Sequence, residues 1–370
     1  MNCARRKRIA EFILYGSKAS LFTGKARAYM NWKGIAFEER AVDESVMKTV
    51  ILPHVGWPVV PVLQTPDGRI IQDTADIIAE IETAFPEPSV MPDGPIQRFA
   101  SLLMQVFGDQ WLVLPAMHYR WNYNEDWIFT EFGRTTAIDA PANEHYAIGE
   151  KIGERFRAMV PMLGISETTI PGIESSYEAF LAEFSAHLEQ FEYVFGDRPS
   201  LADFTLIGPL YAHLYRDPES RKTMERVAPR VARWVERTIS GQDHQGDLID
   251  NDTIPNTLFP IFKRHSAEHM PVLEATNRLF AQWSETASSG DEVPRGLGTA
   301  PFHVGGCEGQ TMARSFSLFR LQTALDSLAE MSNNDRAKAE AFLGSIDAKQ
   351  LMSFELNHRL VRKNCKVCLA

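Results

Sequence analysis

Three short patterns in the chain carry residue types that do chemistry. His265-Ser266-Ala267-Glu268-His269 has the order H-x-x-E-H, in which two imidazoles one helical turn apart bind zinc. Matches of five residues arise by chance, nothing else points to a peptidase, and surface helix residues are the expected reading. Cys365-x-x-Cys368 has the spacing of a redox or metal pair. Such a pair needs a helix N-terminus or two further ligands, and a frayed basic tail is expected instead. Gly305-Gly306-x-x-Gly309 lacks the Lys-Ser/Thr that completes a phosphate loop. No metal is expected at any of them.

Composition narrows the function classes. The chain has 370 residues, a length for two or three domains. Hydrophobic residues make up 44% and charged residues 23%, which is the balance of a globular protein. Asp and Glu number 48 against 38 Lys and Arg, for a net charge of −10. That balance argues against a general nucleic-acid binder, since phosphate binding needs a basic footprint. Four cysteines in this length make no disulfide framework. No apolar run approaches the ~18 residues of a membrane span, and the basic start Arg5–Arg8 precedes too short an apolar run for a signal peptide. A reduced, soluble, cytoplasmic protein is the expectation.

The elements that must position any site change character along the chain. Glu11–Tyr15 has strand composition, and Phe22, Ala26, Tyr29 and Met30 space a helix that Lys33-Gly34 ends. Phe37–Val42 and Val59–Leu63 read as strands, and Thr65-Pro66-Asp67-Gly68 as a turn into Arg69–Gln72. Asp73-Thr74 opens a helix with Ile77, Ile78 and Ile81 on one side. The order β-α-β-x-β-β-α makes a compact α/β unit. Prolines at 86, 88, 92 and 95 form a linker, after which the pattern is helical to about residue 240. Its clearest stripe runs over Ser175–Phe195, through Tyr177, Phe180, Leu181, Phe184, Leu188 and Phe191. Beyond Gly241, helix-like stretches at Leu258–Trp283 and Phe316–Met331 flank a glycine-rich segment expected to be irregular.

The first unit resembles the thioredoxin-like domain of the glutathione transferase superfamily. Leu14–Glu38 is similar to the family's first strand, active-site loop, first helix and Lys-Gly-Ile turn. Val60-Pro61-Val62-Leu63 resembles the strand that begins with a cis-proline, and Gln72-Asp73-Thr74 the acidic-hydroxyl start of the next helix. Arg198-Pro199-Ser200-Leu201-Ala202-Asp203-Phe204 is similar to the capping motif of the family's all-helical second domain. The resemblance implies an α/β thioredoxin-like glutathione-binding domain over 9–86 and an all-α helical domain over 95–240. A mainly helical extension over 241–370 is expected to pack on the latter.

The resemblance further implies glutathione as cosubstrate. The family's serine-type catalytic hydroxyl falls on Ser20, where a hydrogen bond to sulfur and a helix N-terminus both favour the thiolate. Ser20 is equally a good helix cap, and Ser17, Thr23 and Tyr15 are alternatives. A serine where redox members carry cysteine removes the nucleophile for thiol–disulfide exchange. The backbone of Val60, before Pro61, is expected to pair with the cysteinyl part of glutathione like an added strand. Thr74 and the helix N–H groups are expected to take the γ-glutamyl carboxylate, and Asp73 the ammonium. Val59 offers no partner to the glycyl end. The second substrate, a small hydrophobic electrophile, is expected against Trp111, Met117, Tyr119 and Trp121, residues that also suit a core. The resemblance leaves room for a homodimer and for a non-catalytic module that keeps the fold to bind a ligand or protein. It implies no metal, nucleic acid or membrane partner.

Overall fold

The computed structural model describes residues 12–241 and 246–370. The basic run Arg5–Arg8, Cys3, the first residues of the 9–86 unit and part of the acidic stretch after Gly241 lie outside the described residues.

The α/β unit forms one four-stranded sheet in the order β2-β1-β3-β4. β1 (Phe12–Gly16) pairs in parallel with β2 (Phe37–Ala41) and antiparallel with β3 (Val62–Gln64), which pairs antiparallel with β4 (Ile70–Gln72). Period-two alternation splits the strands between two faces. Leu14 and Leu63 enter the main core with α1 (Leu21–Trp32) and α4 (Thr74–Ala84). Tyr15 and Val62 face the other way, onto Ile51 and Val55. Those two come from the crossover, where a π-helical turn (Met47–Ile51) joins α2 (Glu44–Val46) to α3 (Leu52–Val55). Gly68, at φ 86, closes the β3–β4 turn by donating its N–H to Thr65 O at 2.9 Å.

The helical part runs through α5 (Pro95–Gln110), α6 (Val113–Tyr123), α7 (Glu125–Thr136), α8 (His145–Arg157), α9 (Ile170–His187), α10 (Leu201–Ala212), α11 (Pro218–Val227) and α12 (Pro229–Ser240). The stripe expected over Ser175–Phe195 is helical only to His187. Beyond it the chain folds back because Asp203, capping α10 with Ser200, also accepts the Val194 N–H at 3.0 Å. The start of α5 is capped from far away: Ile96 and Gln97 donate their N–H groups to Asp252, each at 2.8 Å.

After residue 246 come α13 (Phe259–Arg264), a π-helical turn (His265–His269), α14 (Met270–Ser284), α15 (Ser315–Ala329) and α16 (Asn333–Ser345). The glycine-rich segment is not irregular but a hairpin of β5 (Gly296–Val304) and β6 (Cys307–Arg314). Gly305 and Gly306, at φ 51 and 85, make its two-residue turn, which demands left-handed backbone. The Cys365-x-x-Cys368 tail is also no frayed end. β7 (Leu360–Lys363) and β8 (Lys366–Leu369) pair about Asn364-Cys365, and Leu360, Val367 and Leu369 pack on Phe280 and Leu318. Phe262, Leu273, Phe302 and Leu321 share one core with Phe107 and Phe180 of the helical part.

Candidate active site

The strand register sets the site. Val62 lies opposite Tyr15 on one side and Gln72 on the other. The three loops that follow Gly16, precede Val62 and follow Gln72 therefore leave the sheet at one end. Ser20, Val60-Pro61 and Asp73-Thr74 are on those loops, so the expected glutathione-binding residues share one rim.

Ser20 caps α1, with extended backbone and its Oγ accepting the Thr23 N–H at 3.2 Å. That bond uses the oxygen and leaves the hydroxyl proton to donate elsewhere. Two of its alternatives likewise accept through oxygen and keep a hydroxyl proton, but neither caps α1. Ser17 Oγ accepts the Ala19 N–H at 3.2 Å, and the buried Thr23 accepts the Ser17 N–H at 3.4 Å. The Tyr15 hydroxyl donates to Gln64 Oε1 at 2.8 Å on the α2–α3 face, away from α1. Arg120, which the residue pattern alone does not single out, holds this loop. Its guanidinium donates to Ala19 O (2.7 Å), to Ala212 O (2.6 Å) and in a fork to the Asp217 carboxylate (2.7 and 2.9 Å).

The Val60-Pro61 peptide bond is cis, and Val60 has no backbone hydrogen-bond partner among the described residues. Thr74 is buried at the first position of α4. Asp73 caps that helix through the Ala75 N–H (2.9 Å) at φ 83, a strained backbone for a residue with a Cβ. Its Oδ1 also accepts from Arg320 of α15, while Arg362 of β7 donates to Gln72 O (2.8 Å) and to Asp76. Burial opposes the charge on Asp73, but Arg320 and Arg362 outweigh it and hold the carboxyl below its ordinary range. Asp76 stays above its ordinary range through burial. Beneath them Lys25 and Asp109 form an enclosed pair at 2.6 Å.

The aromatic group expected for the second substrate is placed inside. Trp111 is buried, donates to Glu268 Oε2 at 3.1 Å and stacks on His269. Tyr119 packs edge-on to Tyr177, Trp121 against Phe129, and Met117 is buried with them. His265-Ser266-Ala267-Glu268-His269 does not lie on the surface, as its spacing suggested. The two histidines are buried and bond each other at 3.1 Å, and Glu268 turns to Trp111 and Ser176. No cluster suited to a metal ion occurs among the described residues.

Glutathione fits this rim in part. The free Val60 backbone, the N-terminus of α4 and the Ser20 hydroxyl suit its cysteinyl and γ-glutamyl groups. At the position expected for the glycyl end Val59 offers no polar partner, and Arg295 of the extension lies 4.2 Å over the nearby Trp57 ring.

Two family models match, one described as the glutathione S-transferase N-terminal domain over residues 14–89 and one as its C-terminal domain over residues 167–237. The chain belongs to the glutathione transferase superfamily. Within the superfamily it is similar to a solved glutathione S-transferase from Rhodospirillum rubrum, at 18% identity, 66% of this chain, 96% of that one and TM-score 0.40. A transferase-like protein from Pseudomonas syringae is 17% identical over 84% of this chain and 98% of its own, at TM-score 0.43. A transferase from Ceriporiopsis subvermispora, solved in complex with glutathione, is 16% identical over 63% and 98%, at TM-score 0.44. No curated protein sequence matches this superfamily member. None of its helices is long and apolar enough to cross a membrane among the described residues.

Proposed function

We propose that the protein is a glutathione transferase-type enzyme that binds glutathione along Val60 and Thr74 and readies its thiol at Ser20 for attack on a small electrophile. The observation that carries this reading is the Ser20 cap. Its Oγ accepts from the Thr23 N–H at the head of α1, so the hydroxyl proton is free to point at a sulfur on the same rim. A hydroxyl donating to sulfur stabilises the thiolate over the thiol, and the helix N-terminus acts in the same sense.

Ser20→Ala tests it. One charge-assisted hydrogen bond is worth ~1.5–3 kcal/mol, so the pKa of bound glutathione should rise by about one to two units. Affinity should change little, because the binding contacts lie at Val60 and Thr74. Thiolate absorbance titrated in the two complexes reads the shift, and coincident curves would remove Ser20 from the role. A second reading, a non-catalytic module on the same fold, is favoured by the enclosure of Trp111, Met117, Tyr119 and Trp121 in the core. Retention on immobilised glutathione without turnover of any electrophile would support it.

A further inference from the structure

The γ-glutamyl end of the rim is built from two distant parts of the chain. Asp73 comes from the thioredoxin-like domain, and Arg320, 247 positions later, from the extension. The Arg320 side chain is only 6% exposed, and its guanidinium is fixed over the rings of Phe316 (4.8 Å) and Phe319 (5.2 Å). It donates through Nη2 alone. Nε and Nη1 of Arg320 and Oδ2 of Asp73 have no partner among the described residues, and none of the three is fully enclosed. These nitrogens keep access to the rim, so a ligand's acceptor can reach donors whose guanidinium is already held in place by the two rings.

The charges agree. Asp73 and Asp76 alone would place two carboxylates at the head of α4, and Arg320 and Arg362 bring the group to neutrality. A neutral rim offering one free carboxylate oxygen beside free guanidinium nitrogens matches a neutral zwitterion, an ammonium and a carboxylate on one carbon.

Resting on the proposed glutathione site, we infer that Arg320 is a ligand-binding residue: Asp73 and Arg320 together read the α-amino-carboxylate end of a γ-glutamyl thiol. Asp73 Oδ2 takes the ammonium, and Arg320 Nε and Nη1 take the carboxylate beside the Thr74 N–H. The extension is then part of the site.

Calorimetry on the full chain tests this with glutathione and with γ-aminobutyryl-cysteinyl-glycine, which keeps the amine and lacks the α-carboxylate. Wild type should bind glutathione roughly ten- to a hundredfold tighter than the analogue, as expected for a charged hydrogen-bonded pair. Arg320→Gln should bring that ratio near one and leave analogue affinity within about twofold, by the same accounting. Arg320→Lys, which keeps the charge without the planar fork, should retain part of the preference. The wild-type preference needs no variant, so it stands even if Arg320→Gln fails to fold. Equal wild-type affinity for the two ligands overturns the inference. Tighter glutathione binding by Arg320→Gln than by wild type also overturns it, making Arg320 a plug while sparing the glutathione site. Absence of glutathione binding in wild type and both variants overturns the site and this inference together.

Discussion

Arg120 ties the Ser20 loop to two parts of the helical region through one side chain. Burial pushes the Asp217 carboxyl up, and the Arg120 fork is what keeps its charge tolerable. Arg120→Ala leaves Asp217 enclosed with only the charge of Arg216, itself paired with Glu131, and frees the Ala19 carbonyl of the Ser20 loop. Loss of about 3–5 kcal/mol is expected in urea unfolding, the range for breaking a buried pair from one side. At this scale the sequence is legible where cause and effect are neighbours. The caps at Ser20 and Asp73 bond two or three residues ahead, and hydroxyl or carboxylate before an apolar helix announces them. Arg120, Arg320 and Arg362 bond partners 97, 247 and 286 positions away. Nothing local marks them, because an arginine's own neighbours do not say which carboxylate it will meet.

Among the elements, the hairpins are less legible in the sequence than the helices. The β5–β6 turn has its signal, Gly-Gly between two alternating runs, but scattered glycines around it suggest loose chain instead. The buried H-x-x-E-H helix misleads for a different reason. Polar spacing looks solvent-facing until Trp111 and Ser176 arrive to satisfy Glu268. The β5–β6 hairpin seats on the first turn of α9 at Gly172, where an added Cβ would stand 2.1 Å from Val304 O and 2.9 Å from Cys307 Cβ. Neither can move without shifting the hairpin backbone. Gly172→Ala should therefore destabilise by roughly 1–3 kcal/mol despite alanine's better helix propensity. A thermal melt at or above the wild-type midpoint would show that the seam yields to a methyl group at Gly172.

Several groups inside the molecule titrate far from their ordinary range. Burial holds His187 down to about 4 and His265 to about 3, and His213 and His269 well below their usual value. An unfolded histidine protonates near 6.5. As pH falls from 6.5 towards 4, the unfolded chain takes up protons that the folded one refuses, and stability is lost. Asp203 works in the opposite sense. Burial raises its carboxyl to about 6, so between about 6 and its ordinary range the folded state takes one proton first. Asp76, Asp109 and Asp217, also raised by burial, act with it, but from pH 7 to 5 they are outweighed by the histidines, which His118 joins. Each contributes at most roughly 2 kcal/mol at pH 5, from 1.36 kcal/mol per unit over 1.5 units. Denaturant midpoints should drop from pH 7 to 5, and His187→Gln should lessen the drop. That substitution is mild because His187 already bonds the Tyr193 carbonyl and Thr257 hydroxyl as a neutral group.

The pairing of Asp73 with Arg320 and of Asp76 with Arg362 also sets an order in time. A ribosome adds about 5–20 residues each second, so 247 and 286 positions of separation amount to roughly ten to sixty seconds. Through that interval the nascent thioredoxin-like domain shows two carboxylates at the head of α4, steadied by the helix N-terminus and, at Asp73, by the charge of Lys25. Their cationic partners are still being made. A message truncated before codon 320 would yield a chain whose rim is acidic where the finished protein is neutral. Translation thus delivers the α/β unit well before the arginines that balance its charge.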